Sequence, residues 1–212
     1  MQDLGGWPIA RLESSLWDKI EREAPIICHI KHTKMSALLF IALSLLSLVT
    51  LWALLVVILT IHEYGHLHMM SKLGIRADKV VVGSWPILKF KVRGLPVEVG
   101  ALPLWGFVKS QGYESANSSR RAAIAAAGPL MSLVTGILFW MINDVHPIWL
   151  VGLLAKGSFV LFATNVIPLP PLDGWTVLEH FLQRHGFKVG TRTKTYLLGL
   201  GLASALIACY FV

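Results

Sequence analysis

The chain has 212 residues, of which 55% are hydrophobic, and its formal net charge is +7. Soluble domains usually contain about 45–50% apolar residues, so the composition argues against an ordinary soluble protein. The positive charge does not indicate a nucleic-acid partner, because no nucleic-acid-binding motif accompanies it.

The first 35 residues form a polar arm with scattered apolar side chains. Leu12, Leu16 and Ile20 recur at helical spacing, which favours an amphipathic helix lying at the membrane interface. A loosely ordered extension is the alternative. Residues 36–212 are expected to form a single polytopic membrane domain.

Four apolar segments follow the arm. A helical span needs about 20 apolar residues, a length that the first three segments reach and the last does not. They are Ser36–Ile61, Ala122–Ile142, Ile148–Ile167 and Thr195–Val212. We therefore expect a mainly α-helical, multi-pass membrane protein in contact with lipids, with three core transmembrane helices and a fourth, C-terminal helix.

Lysine and arginine residues lie between the first two apolar segments and again between the last two, whereas the N-terminal arm is mixed in charge and favours neither side. The connector at 143–147 contains neither residue type. Because lysine and arginine favour the cytoplasmic side of a membrane, both basic loops are expected in the cytoplasm.

The first basic loop carries a strand pattern. Leu88, Phe90 and Val92 alternate with basic residues, which is the period of a half-exposed β-strand. A turn signal around Gly94 and a second apolar stretch follow. We therefore expect a small membrane-associated β-hairpin or sheet within residues 79–109.

The sequence H-E-Y-G-H at positions 62–66 follows the first apolar segment. Residues four apart share one face of a helix, so His62 and His66 can direct their imidazoles to one metal ion. Glu63 can reach a water held beside that ion. This spacing is the zinc-protease signature, although a motif this short also arises by chance.

A catalytic zinc site normally has three protein ligands and one open position. Asp173 is the best candidate for the third ligand, because it follows a proline-rich break and is expected on the same side of the membrane as His66. Glu179 and His180 are weaker alternatives, and Asp173 could instead cap a helix. The favoured set of His62, His66 and Asp173 predicts one zinc ion per chain.

Four segments, taken in order, resemble motifs of the site-2 protease family of intramembrane zinc metalloproteases. They are the H-E-Y-G-H motif, Pro103–Val108, Ala127–Leu130 and Asn165–Gly174. The resemblance implies that His62, His66 and Asp173 hold zinc and that Glu63 is the catalytic base. It also implies that Asn165 lies near the substrate cleft.

The β-rich loop at 79–109 is similar to a membrane-associated β-hairpin of the same family, and the resemblance implies that it holds the substrate in extended form. A strand edge binds unwound backbone by β-augmentation, so Phe90 and Val92 are our candidates for substrate contacts. Two positions depart from the family pattern: Ser132 stands where an Asn is usual, and Trp105 replaces a Gly. No segment of the sequence is expected to form a PDZ or CBS domain, which leaves a regulatory membrane partner as a candidate for control.

The leading interpretation is an intramembrane zinc endopeptidase that uses zinc-activated water to cut transmembrane-protein substrates within or near their helices, with its active site toward the cytoplasm. One alternative is a catalytically silent member of the fold that binds client helices, but such a protein has no need of Glu63. Another is a zinc transport protein, in which ligands would be spread along a path through the membrane.

Overall fold

The computed structural model describes the backbone of residues 8–187, 190, 193 and 195–199. The chain divides into two compact units, Met1–Thr50 and Leu51–Val212. The predicted division after residue 35 is not tested by this partition and stays a prediction. The fourth apolar segment, Thr195–Val212, lies largely outside the described residues.

The described part of the chain is mainly helical, with one small sheet. The helices are α1 (Pro8–Lys72), α2 (Gln111–Glu114), α3 (Ser118–Val145), α4 (Trp149–Val166) and α5 (Asp173–Arg184), and the strands are β1 (Lys79–Val92) and β2 (Leu95–Lys109).

Three of the described helical segments are long and apolar enough to cross a membrane: Ala37–Lys72, Ser118–Val145 and Trp149–Val166. They confirm the prediction of three core spans in a multi-pass integral membrane protein. The first continues past the predicted end at Ile61, so the H-E-Y-G-H motif lies inside the helix.

Local sequence explains where the later helices begin and end. The side chain of Asn117 caps α3 by accepting a hydrogen bond from the backbone N–H of Arg120 at 2.9 Å, as expected for an N-cap residue. Helix α4 ends at Val166, and Pro168 follows closely. Because a residue before proline avoids helical geometry, the chain leaves the helix there and α5 starts anew at Asp173.

The two strands pair antiparallel, which confirms the predicted hairpin. The turn between them uses left-handed backbone at Arg93 and Gly94, with φ of 51° and 85°. Residues Val80–Val82 are paired on both edges, with 106–108 of β2 on one side and 97–99 on the other. The end of β2 therefore forms an outer edge of the sheet.

A small apolar core joins this sheet to α1. Leu59 of α1 is buried together with Val80 and Val82 of β1, and Val82 is fully inaccessible to solvent. Nearby, the indole N–H of Trp52 donates to the backbone carbonyl of Gly100 at 3.3 Å. Since Leu59 lies one turn before His62, these contacts fix the sheet beside the motif.

Candidate metal centre

The H-E-Y-G-H motif lies on α1 with its three polar side chains buried. The exposed fractions of His62, Glu63 and His66 are 4%, 3% and 9%. The two histidines are one turn apart, and their Nε2 atoms approach to 3.2 Å. Burial of three ionisable groups in a membrane-length helix is costly without partners, so each needs a specific role.

Asp173 joins the two histidines from α5. Its Oδ2 atom lies 3.2 Å from His62 Nε2 and 3.4 Å from His66 Nε2. Asp173 is not the cap of α5, because Leu172 holds the N-cap position and no side-chain cap bond forms. The carboxylate is instead directed at the imidazoles.

Neither alternative ligand joins this group. Among the described residues, the metal-capable cluster consists of His62, His66 and Asp173. His180 pairs with Ser118 instead, with 3.2 Å between its Nδ1 and the hydroxyl oxygen. Glu179 is not a member of the cluster.

The three facing atoms have the spacing that a zinc ion requires. Zinc binds histidine nitrogen at 2.0–2.1 Å in tetrahedral geometry, so neighbouring ligand atoms lie about 3.3–3.4 Å apart. The observed separations are 3.2, 3.2 and 3.4 Å. The three atoms therefore have the separations of three corners of a tetrahedron around zinc, and the residues that carry them line one cavity.

Helix α3 holds the far side of each imidazole. His66 Nδ1 lies 2.8 Å from the backbone carbonyl of Ile124, and His62 Nδ1 lies 2.9 Å from the hydroxyl of Ser132. A metal-bound histidine usually has its second ring nitrogen held in this way. Sequence reasoning left Ser132 without a definite role, since its contact depends on how two helices pack.

Two glycines allow α1 and α3 to come this close. A Cβ added at Gly65 would lie 2.5 Å from the carbonyl oxygen of Ala127. A Cβ added at Gly128 would collide with the imidazoles of both His62 and His66. Gly65 belongs to the H-E-Y-G-H motif and Gly128 to the Ala127–Leu130 segment. Both motifs therefore place a glycine where the two helices pack closely.

Glu63 faces a cavity of about 630 Å³ that also contains the three candidate ligands. Its Oε2 atom is buried and has no hydrogen-bond partner. Its Oε1 side lies close to β2, where a Cβ added at Gly106 would approach it to 2.5 Å. A buried carboxylate oxygen without a protein partner is suited to accept a proton from a bound molecule.

The other predicted site residues are divided between two places. Asn165 lines the cavity. One N–H of its amide donates to the carbonyl of Leu161 at 2.9 Å, and its second N–H and its carbonyl oxygen are the groups suited to bind a molecule in the cavity. Phe90 and Val92 do not line it. They are about half exposed, at 48% and 51%, and lie on the part of β1 near the turn.

Residues not predicted from the sequence line the cavity in their place. Leu104–Val108 of β2 form one wall, and the only sequence signal for this was the loop motif that contains Gly106. Tyr113 of α2 lines the same cavity. Burial raises the pKa of the Tyr113 phenol, so this group is neutral at physiological pH.

Comparisons with known proteins give the same family. Residues 50–147 match peptidase family M50. The zinc metalloprotease MJ0392 of Methanocaldococcus jannaschii is 25% identical over 197 residues, which cover 88% of this chain and 50% of that protein. The regulator of sigma-E protease RseP of Escherichia coli is 27% identical over 124 residues, which cover 48% of this chain and 27% of that protein.

The fold comparison agrees. The solved structure of the site-2 protease from Methanocaldococcus jannaschii superposes with a TM-score of 0.54 at 24% identity, covering 76% of this chain and 66% of that one. The chain thus spans half or less of the length of these two curated relatives. The family match includes the H-E-Y-G-H motif and Gly128 but ends before Asp173, so the place of Asp173 in the cluster rests on geometry. Together these matches confirm the resemblance: the chain is similar to peptidase family M50 over residues 50–147, and it has the fold of a site-2 protease.

Proposed function

We propose that this chain is an intramembrane zinc endopeptidase that hydrolyses peptide bonds within or near transmembrane helices of membrane proteins. One observation carries the proposal: three ligand atoms with tetrahedral spacing share a cavity with an unpartnered buried carboxylate. His62, His66 and Asp173 would hold one zinc ion per chain. The relatives named as zinc metalloproteases support this choice of metal.

The residues around the metal divide the chemistry. A zinc ion bound there would polarise the scissile carbonyl and acidify the attacking water. Glu63 would accept the proton of that water and deliver it to the leaving amine. Asn165 lines the same cavity and would donate or accept hydrogen bonds along the substrate backbone.

The substrate must reach this cavity with its backbone exposed. A peptide bond inside a helix is shielded and internally hydrogen bonded, and in lipid the groups that unwinding frees need new partners. Transmembrane helices with Gly, Pro, Asn or Ser near the cut are therefore the favoured substrates.

The wall of the cavity formed by β2 is a better candidate for binding the unwound segment than the hairpin turn. In β2, Leu102 and Gly106 each have a partner on β1, but residues 103–105 between them have none within the described sheet. This stretch lines the cavity beside Glu63, so its backbone could add the substrate as a further strand. Phe90 and Val92 would then contact substrate farther from the cut.

The alternative functions leave features of the site unused. A silent binder of client helices does not require a buried, unpartnered Glu63 next to three metal ligands. A zinc transporter would need further ligands along a path through the membrane, whereas the one metal-capable cluster among the described residues is confined to a single point.

We also propose that the site faces the cytoplasm, because the loops that follow the first and third apolar segments contain thirteen lysine and arginine residues, whereas the connector at 143–147 contains none.

Replacing Glu63 with Gln is expected to lower the rate of substrate cleavage at least about 100-fold, as is usual on loss of a general base. Zinc content should stay near one ion per chain, because Glu63 is not a ligand. The measurement is immunoblotting of a co-expressed single-span substrate, together with metal analysis of the purified protein. Glu114→Gln is the matched control, since Glu114 is exposed on α2. Near-normal cleavage by Glu63→Gln would refute the proposed role.

Proline substitutions test the strand wall. Successive N–H groups of a strand point to opposite edges, so Leu104→Pro or Trp105→Pro removes a donor facing the substrate. We expect one of the two to slow cleavage of a helical membrane substrate about tenfold or more, as expected for the loss of a backbone hydrogen bond, and to affect a flexible peptide less. Phe90→Pro serves as the comparison, and a larger effect there would return the binding role to the hairpin turn.

Single cysteines test the orientation in a background without Cys28 and Cys209. Ser115→Cys and Gln183→Cys should resist a membrane-impermeant thiol reagent applied outside intact cells, whereas Asp144→Cys at the C-terminal end of α3 should react. All three positions are exposed in the fold. The opposite pattern of labelling would place the site on the outer face.

A further inference from the structure

We infer that Ser132 is a positioning residue that fixes the His62 imidazole for metal binding, and thereby sets the zinc affinity of the site. The inference deepens the proposed function and rests on it. It starts from the 2.9 Å contact between Ser132 Oγ and His62 Nδ1.

The direction of this hydrogen bond follows from the geometry of the cluster. The Nε2 atom of His62 faces Asp173 Oδ2 and His66 Nε2 at 3.2 Å each, so Nε2 is the atom available to a metal. A neutral imidazole carries its proton on one nitrogen only. With a metal on Nε2, Nδ1 would hold the proton and would donate it to the hydroxyl oxygen of Ser132.

The two histidines are held in different ways. His66 Nδ1 is bound by the backbone carbonyl of Ile124, which no side-chain substitution can remove. His62 depends on a side-chain hydroxyl. Ser132 itself is only 2% exposed, so water cannot readily replace the hydroxyl if it is deleted.

The position of Ser132 on α3 also fits this role. Ile124, Gly128 and Ser132 are four residues apart and share one stripe of the helix. The first binds His66, the second leaves space for both rings, and the third binds His62. This stripe of α3 therefore supports the ligand pair along its length.

The test is the zinc dissociation constant of the purified full chain, measured by competition with a metal chelator. Ser132→Ala is expected to weaken zinc binding by about 10-fold to 100-fold, the usual effect of losing an outer partner of a metal ligand. Ser158→Ala is the matched control, because Ser158 is an equally buried serine on α4 outside the metal-capable cluster. It should change the zinc affinity by less than about threefold, within ordinary mutational scatter.

A pair of isosteric variants separates the hydrogen bond from packing. Ser132→Thr keeps the hydroxyl, whereas Ser132→Val replaces it with a methyl group of the same shape. We expect the zinc affinity of Ser132→Thr to exceed that of Ser132→Val by at least about 10-fold. This pair decides the question even if Ser132→Ala does not fold.

The outcomes distinguish this inference from the proposed function. Equal zinc affinity of Ser132→Thr and Ser132→Val, or wild-type affinity of Ser132→Ala, would overturn the positioning role and leave the metal site intact. An equal loss in Ser158→Ala would also overturn it, since the effect would then be general packing. A wild-type chain that binds no zinc would instead refute the proposed function itself.

Discussion

The candidate site depends on the close approach of α1 and α3. Gly65 on one helix and Gly128 on the other remove the side chains that would keep the backbones apart. Small residues are the usual means by which membrane helices approach closely, because lipid provides no hydrophobic force to drive their association. Here the approach has a chemical consequence, since it brings the carbonyl of Ile124 and the hydroxyl of Ser132 within hydrogen-bond distance of the two imidazoles.

Once the imidazoles are held, the other elements complete the site around them. The proline-rich break after α4 ends one span and allows α5 to begin at Asp173, directly beside the two Nε2 atoms. The sheet packs on α1 through Leu59 and brings the end of β2 across the cavity. The β2 wall of the cavity and the three candidate metal ligands thus come from separate parts of the chain that meet at one turn of α1.

Features encoded by short-range patterns could be predicted from the sequence. The spacing of His62 and His66, the second and third apolar segments and the alternation around Phe90 each identify an element within a few residues. Asp173 is distant in sequence, but it could still be predicted as the third ligand. It follows a proline-rich break, and the charge distribution placed it on the same side of the membrane as the histidines.

Features that depend on packing could not be predicted in this way. The partner of Ser132 is set by the distance between two helices, which no local pattern reports. The path of β2 past Glu63 follows from several shifts in strand register, so the sequence indicated a hairpin but not that residues 104–108 would line the cavity. Phe90 and Val92 showed the clearest strand pattern, yet they lie near the turn and away from the cavity.

X-ray absorption spectroscopy at the zinc edge of the purified full chain tests the central claim most directly. The account predicts about one zinc per chain with only nitrogen and oxygen neighbours, at about 2.0–2.2 Å, and loss of the metal from an Asp173→Ala, His66→Ala double variant. A sulfur neighbour at about 2.3 Å would indicate cysteine ligation and contradict the assignment. Full zinc occupancy in the double variant would contradict it equally.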